Sequence, residues 1–162
     1  MRFSKVRDVK TPTRGTSGSA GIDFYVPSTF GPISVEPDND ILIPSGIKVD
    51  IPHGYMLMGA DKSGIATTRR ACVLAGRQPK PDAFNSSVIL GAKIVDEDYQ
   101  GEIWIHLINV GCQTIRIEPG AKIAQLVLVP VAYVELEEVP ENELFNHESE
   151  RGEGGFGSTD QK

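Results

Sequence analysis

Cysteine and histidine are scarce: the chain has two of the first and three of the second among 162 residues. Cys72 and Cys112 stand far apart in sequence, in no metal-ligand spacing, and the histidines are scattered, so no zinc site is expected. Both cysteines read as reduced, small, buried apolar residues. Excess positive charge is also missing, with 16 Lys and Arg against 22 Asp and Glu and a formal net charge of -6. That argues against a non-specific nucleic-acid or membrane surface, and leaves room for a nucleotide, which needs only a local basic pocket or a metal ion. No run approaches the roughly twenty apolar residues of a membrane span. No apolar segment follows Met1-Arg2-Phe3, so no secretory signal is expected and the reading is of a soluble, cytoplasmic protein.

Glycine and proline are plentiful, at 17 and 11 residues, and they punctuate short apolar runs at close intervals. That pattern predicts an all-β sandwich, barrel or jelly roll of single-domain size, without internal repeats. Phe3, Val6 and Val9 suggest a first strand, and Ile22, Phe24 and Val26 alternate with Asp23 and Tyr25 in a second. Asp is a poor strand former, so Asp23 is either a solvent-facing residue or one with a reason to be there. Residues 33–49 read as two more strands broken at Pro37-Asp38-Asn39-Asp40 and at Pro44-Ser45-Gly46. Ile51-Pro52-His53-Gly54-Tyr55 reads as a hairpin-type turn with an exposed His53, and Tyr55-Met56-Leu57-Met58 as a buried strand. Thr67 to Ala75 is the short-helix candidate, and Gly76 to Ser87 a surface loop. Ile115 and Ile117 make a strand ending at Glu118-Pro119-Gly120. From Tyr133 the chain turns Glu-rich and core patterning ends near Val139, which divides it into a β domain, 1–140, and a Gly-rich arm, 141–162.

The chemistry concentrates in Gly91-Ala92-Lys93-Ile94-Val95-Asp96-Glu97-Asp98-Tyr99-Gln100-Gly101-Glu102, between the apolar runs Val88 to Leu90 and Ile103 to Ile108. The flanks read as two strands of a central hairpin and the middle as a turn or corner. Asp96 follows Ile94-Val95 directly, so its carboxylate sits at a strand end, partly desolvated and held by a rigid scaffold, as a general base requires. A solvated acidic turn is the bland alternative. Tyr99 offers a flat apolar face with a polar tip. Trp104 and His106 share one face of the following strand, with Ile103, Ile105 and Leu107 on the other, and His106 reads as structural. Lys62, Ser63 and Gly64 offer a cation, a hydroxyl and exposed N–H groups, a weak signal for an anion site. Gln125 is the one polar residue in an apolar run and needs hydrogen-bond partners, from backbone or from a ligand. In the tail, Gly lets the backbone approach phosphates, Phe156 can stack on a base and Arg151 can take a phosphate.

These segments together resemble the homotrimeric dUTPase family, whose five motifs occur here in order. A-G-x-D-F is matched at Ala20, Gly21, Asp23 and Phe24. The second motif is matched at Ser63, Gly64, Ile65 and Ala66, with Asp61 where Pro is usual and Lys62 where Arg is usual. G-x-x-I-V-D-x-x-Y-x-G-E-I is matched from Gly91 to Ile103, with Lys93 where the family often has Gly. G-x-x-I-A-Q-L is matched from Gly120 to Leu126, and R-G-x-G-G-F-G-S-T from Arg151 to Thr159. Gly76 to Ser87 looks like an insertion between the second and third motifs.

The resemblance implies a distorted β-barrel or jelly roll with one short helix and a flexible C-terminal arm, and a homotrimer whose three subunits share each active site. It implies hydrolysis of dUTP to dUMP and pyrophosphate, with Asp96 activating a water that attacks the α-phosphorus in line. Lys62, Ser63, Gly64 and Gln125 would bind phosphate, and main-chain groups of the hairpin, at Gly91 and Ile94 among others, would read the uracil. Tyr99 would pack under the deoxyribose, and Arg151, Phe156, Gly157 and Ser158 would close the site. Mg²⁺ would be held by the triphosphate and waters, with Asp23 reached through a water. A dCTP deaminase-related enzyme and a nucleotide-binding regulatory module are the alternatives.

Overall fold

The computed structural model describes residues 1–61, 88–111 and 114–154. The chain divides into two units, Met1–Ala132 and Tyr133–Lys162. The expected helix from Thr67 to Ala75, the Gly76 to Ser87 loop and both cysteines lie outside the described residues.

Among the described residues the first unit is built of strands alone: β1 (Arg2–Lys5), β2 (Gly21–Tyr25), β3 (Ile33–Val35), β4 (Asp40–Pro44), β5 (Ile47–Asp50), β6 (Tyr55–Ala60), β7 (Val88–Leu90), β8 (Ile94–Val95), β9 (Trp104–Asn109), β10 (Ile115–Ile117) and β11 (Lys122–Pro130). They form one four-stranded sheet, β2-β11-β6-β8, one three-stranded sheet, β4-β9-β7, and the pairs β1-β5 and β10-β3, every pairing antiparallel. Strands that mostly pair far from their sequence neighbours are those of a jelly-roll-like fold.

The alternation expected of half-buried strands is present. Phe24, Ile43, Ile47, Leu57, Ile103, Ile117 and Ile123 are all shut from solvent, and Ile105 and Leu107 point into the same core. Asn109, the polar residue of that face, is satisfied: its Nδ2 donates to the Val35 carbonyl at 2.9 Å and its Oδ1 accepts from Gly111 N at 3.0 Å.

Four expectations change in detail. Residues 33–49 hold three strands, β3, β4 and β5, because each of the two Pro-containing breaks ends one. The turn at residues 51–55 exists, closed by Tyr55 N to the Pro52 carbonyl at 3.2 Å, but it is no hairpin. β5 pairs with β1 while β6 pairs with β11 and β8, so the turn carries the chain from one sheet to another. β6 is buried only at Leu57 and Gly59, since its other face looks outward. The hairpin of β7 and β9 forms, with Leu90 opposite Leu107, but its middle leaves the sheet: β8 pairs with β6 instead.

In the second unit, a 3-10 turn, Glu141–Glu143, follows Pro140, and its residues are exposed.

Candidate active site

The bend after β8 is held from behind at three points. Asp96's carbonyl accepts from Tyr99 N at 3.2 Å, which closes a turn. Glu97 reaches the turn before β6, accepting from Gly54 N at 2.6 Å and meeting His53 Nδ1 at 2.8 Å. The Tyr99 hydroxyl donates to the Glu102 carbonyl at 2.9 Å. Glu102 is itself fixed, by Arg7 through two nitrogens at 2.7 and 3.0 Å and by Gly46 N at 2.7 Å. The Arg7 hydrogen bond is the main reason the Glu102 carboxyl titrates below its ordinary range, partial burial working against it.

What this frame presents outward is a hollow of about 200 Å³ lined by Ile94, Val95, Asp96, Tyr99, Ile103 and Trp104. Asp96 is exposed, not partly desolvated as its place after two apolar residues suggested. β8 is only two residues long and lies at the sheet edge, so no strand among the described residues covers its end. Ile94 and Tyr99 are also open, at 62% and 43% exposure, leaving apolar surface beside the carboxylate.

On the other side of β8 the corner at Gly91 is drawn tight. Gly91 N donates to the His106 carbonyl at 3.0 Å, and Ala92 N to His106 Nδ1 at 3.3 Å. Because Nδ1 accepts, Nε2 carries the proton and donates to Asp40 at 2.8 Å. His106 is thus structural, as expected, and a side chain at residue 91 would collide with its ring. Since Gly59 N donates to Lys93 O and Ile94 faces Met58, the N–H and C=O of Ile94 point away from β6, along the open edge of β8.

Asp23 lies at the far edge of the same sheet, in β2. It is 3% exposed, and one carboxylate oxygen meets Lys122 Nζ at 2.6 Å. That hydrogen bond is the largest cause holding the Lys122 ammonium above its ordinary pKa. The other oxygen of Asp23 is buried without a hydrogen-bond partner. Gln125 stands opposite Asp23 in register and is half-buried, not buried, because only one face of β11 packs on the core. Its side chain lies over Gly21, where a Cβ would strike it. Arg151, in the second unit, donates from Nε to the Gly154 carbonyl at 2.8 Å. Lys62, Ser63, Gly64, Phe156, Gly157 and Ser158 lie outside the described residues.

Sequence reasoning missed Lys122, Glu97 and Glu102 as fixing residues. Lys122 carried a signal, a cation opening an apolar run; Glu102 was marked only as a motif residue, and Glu97 stood in an acidic stretch with nothing to mark it.

A model of the dUTPase family matches residues 7–160. The chain belongs to the dUTPase family. The deoxyuridine 5'-triphosphate nucleotidohydrolase of Chlamydia muridarum is 38% identical over 91% of this chain and 89% of its own length. That of Hydrogenobaculum is 35% identical over 96% of this chain and 93% of its own. A dUTPase of Staphylococcus bacteriophage 80alpha, solved with dUpNHpp, superposes with a TM-score of 0.77 at 24% identity, over 98% of this chain and 96% of its own, and so shares the fold. A dUTPase of the S. aureus phage phi11, described as coordinating a structural Mg(II) ion, shares it at a TM-score of 0.68 and 20% identity, over 86% of this chain and 96% of its own. Among the described residues no helix is long and apolar enough to cross a membrane.

Proposed function

We propose that the chain hydrolyses dUTP to dUMP and pyrophosphate, with Asp96 as the general base that takes a proton from the attacking water. The observation that carries this reading is the placement of Asp96: an open carboxylate, on a bend tied down from behind, beside a hollow with an aromatic wall. A base in that position can reach a water on an incoming ligand without first breaking a partner of its own fold. Tyr99 would lie under the sugar, where its ring leaves no room for a 2′-hydroxyl, and the open edge of β8 at Ile94, beside Gly91, would read the uracil. Lys62, Ser63, Gly64 and Gln125 would hold the phosphates. The arm from residue 141 would close the site, Phe156 on the base, Arg151 on the terminal phosphate, with Gly157 and Ser158 alongside.

Among the described residues no three His, Cys, Asp or Glu side chains converge as a metal cage. The donors fit an ion carried by phosphate oxygens and water, as Mg²⁺ prefers, with the unpartnered oxygen of Asp23 as the protein atom left to accept from one of its waters. Such an ion would offset negative charge on the leaving pyrophosphate.

A shared site in a homotrimer fits the outward face of β4-β9-β7, where Leu42, Ile89 and Trp104 lie 55%, 39% and 47% exposed. Large apolar side chains gathered on one outward sheet face suit a contact with another subunit.

The test is a comparison of dUTP, dCTP, dTTP and UTP in Mg²⁺, following pyrophosphate and ammonia. Pyrophosphate from dUTP alone is expected. Ammonia from dCTP would move the protein to the deaminases, and a light-scattering mass of one 17.6 kDa chain would remove the shared site.

A further inference from the structure

Asp61 directly follows β6, and its carboxylate does not face solvent freely. Oδ1 accepts from Leu90 N at 2.8 Å, and Oδ2 meets Lys93 Nζ at 3.2 Å. Leu90 and Lys93 flank the corner at Gly91-Ala92. One residue pair earlier, Gly59 N donates to the Lys93 carbonyl at 2.5 Å, so the end of β6 grips both sides of that corner. His106 holds the corner's other two amides, of Gly91 and Ala92. The N–H groups of Leu90, Gly91 and Ala92 are therefore all engaged inside the fold, and those of Leu90 and Ala92 depend on side chains.

We propose that Asp61 is a positioning residue for base recognition: with Lys93 it fixes the corner from which β8 departs, and so sets where the edge at Ile94 stands. The inference rests on the proposed reading of that edge as the uracil site. It also explains how Asp61 and Lys93 occur together. A carboxylate alone beside a triphosphate site would repel the ligand, and a lysine alone would leave Leu90 N without its acceptor. As a pair they leave no net charge and satisfy the amide.

The energetics divide unequally. The ion pair is weak, because the side chains of Lys93 and Asp61 are 43% and 30% exposed. The bond to Leu90 N matters more, since Leu90 is buried and its amide would be left unpaired. Asp61→Ala should thus raise KM for dUTP roughly tenfold, the effect of losing one charge-assisted bond to a buried donor, with kcat within about threefold. Asp61→Asn keeps an acceptor for Leu90 N and should recover most of the loss. Lys93→Ala should change KM less than about threefold. Selectivity for dUTP over dCTP should fall in Asp61→Ala together with affinity, an effect that mere loss of stability would not produce.

Hydrogen exchange in the ligand-free, full-length protein gives a readout that needs no activity. The Leu90 and Ala92 amides should exchange faster in Asp61→Ala and at the wild-type rate in Asp61→Asn. Wild-type protein that fails to hydrolyse dUTP would sink the proposed function while leaving this exchange test intact. Unchanged exchange at Leu90 and Ala92, or an unchanged KM and selectivity in an active Asp61→Ala enzyme, would remove Asp61 from the role.

Discussion

The sheet β2-β11-β6-β8 has two edges, and each carries an aspartate. At the β2 edge the segment at Thr13 covers the strand: Asp23 N donates to the Thr13 carbonyl at 2.7 Å and Thr13 N returns the bond at 3.3 Å. Asp23 is sealed beneath it on Lys122. At the β8 edge no further strand follows among the described residues, and Asp96 stands open beside its hollow. The same side-chain chemistry therefore has two physical fates. A carboxylate inside a covered strand must be neutralised by a cation, which here leaves one buried oxygen at most for a water. A carboxylate just past the end of an uncovered strand is free to meet a ligand directly, while the turn around it supplies the fixed aim. An open edge is ordinarily a hazard, because unpaired N–H and C=O groups invite other strands. Here its brevity limits the hazard, and the groups left over are the ones proposed to read a base.

The sharpest way to break this contrast is to remove the charge at each edge. Asp96→Asn should leave the melting temperature and dUTP binding near wild type and lower kcat by about 10²–10⁴-fold, the usual contribution of a positioned general base. Unchanged turnover would place the base elsewhere. A chain ending at Glu150 sharpens the open side of the contrast: it should keep the oligomeric state of the full chain and lose at least about tenfold in kcat, because a site left open to water loses its ordered ligand. Full activity in that truncation would show that nothing needs to close over the β8 edge. Lys122→Ala acts at the covered edge. It leaves Asp23 buried without its cation, and should cost about 2 kcal/mol, reduced from the fully buried case because the Lys122 side chain is 33% exposed. That loss appears as a drop of roughly 4–8 °C in melting temperature. A variant as stable as wild type would mean that water already serves Asp23.

Much of this was legible in the chain itself. The alternation of Ile103, Ile105 and Leu107 against Trp104 and His106 placed β9 and its core face correctly, because a period of two is a local property. The apolar pair Ile94-Val95 placed Asp96 at a strand end, where it is. What could not be read locally was every fact that depends on a distant partner. Pro52, His53 and Gly54 specify a reversal but not which sheet the next strand joins, so the turn looked like a hairpin. Asp23 looked equally suited to solvent and to a buried role, because its cation lies 99 residues away. Asp96 looked sheltered because its predecessors are apolar, yet Ile94 itself is exposed, and exposure is decided by what lies across from a strand rather than along it. Asp61, whose charge in the second motif seemed out of place, meets its partner 32 residues on.

The smallest effects separate the two edges by pH. Glu102, behind the β8 bend, has its folded pKa lowered, first by the hydrogen bond from Arg7. The folded state therefore binds fewer protons there than the unfolded chain. The stability this gives is complete above the unfolded value and is lost as pH falls, from about pH 5 downward, through the folded value. Lys122, under the β2 edge, has its folded pKa raised, first by the hydrogen bond to Asp23. Its contribution is complete below the unfolded lysine value and is lost as pH climbs above about pH 10 through the folded one. The β8 side should accordingly loosen at the acid end and the β2 side at the alkaline end. Denaturant melts at several pH values check this by difference. The gap between wild type and Glu102→Gln should close on acidification, and that between wild type and Lys122→Met on alkalinisation. If both gaps stayed constant with pH, the two pairs would hold the sheet by shape and not by charge.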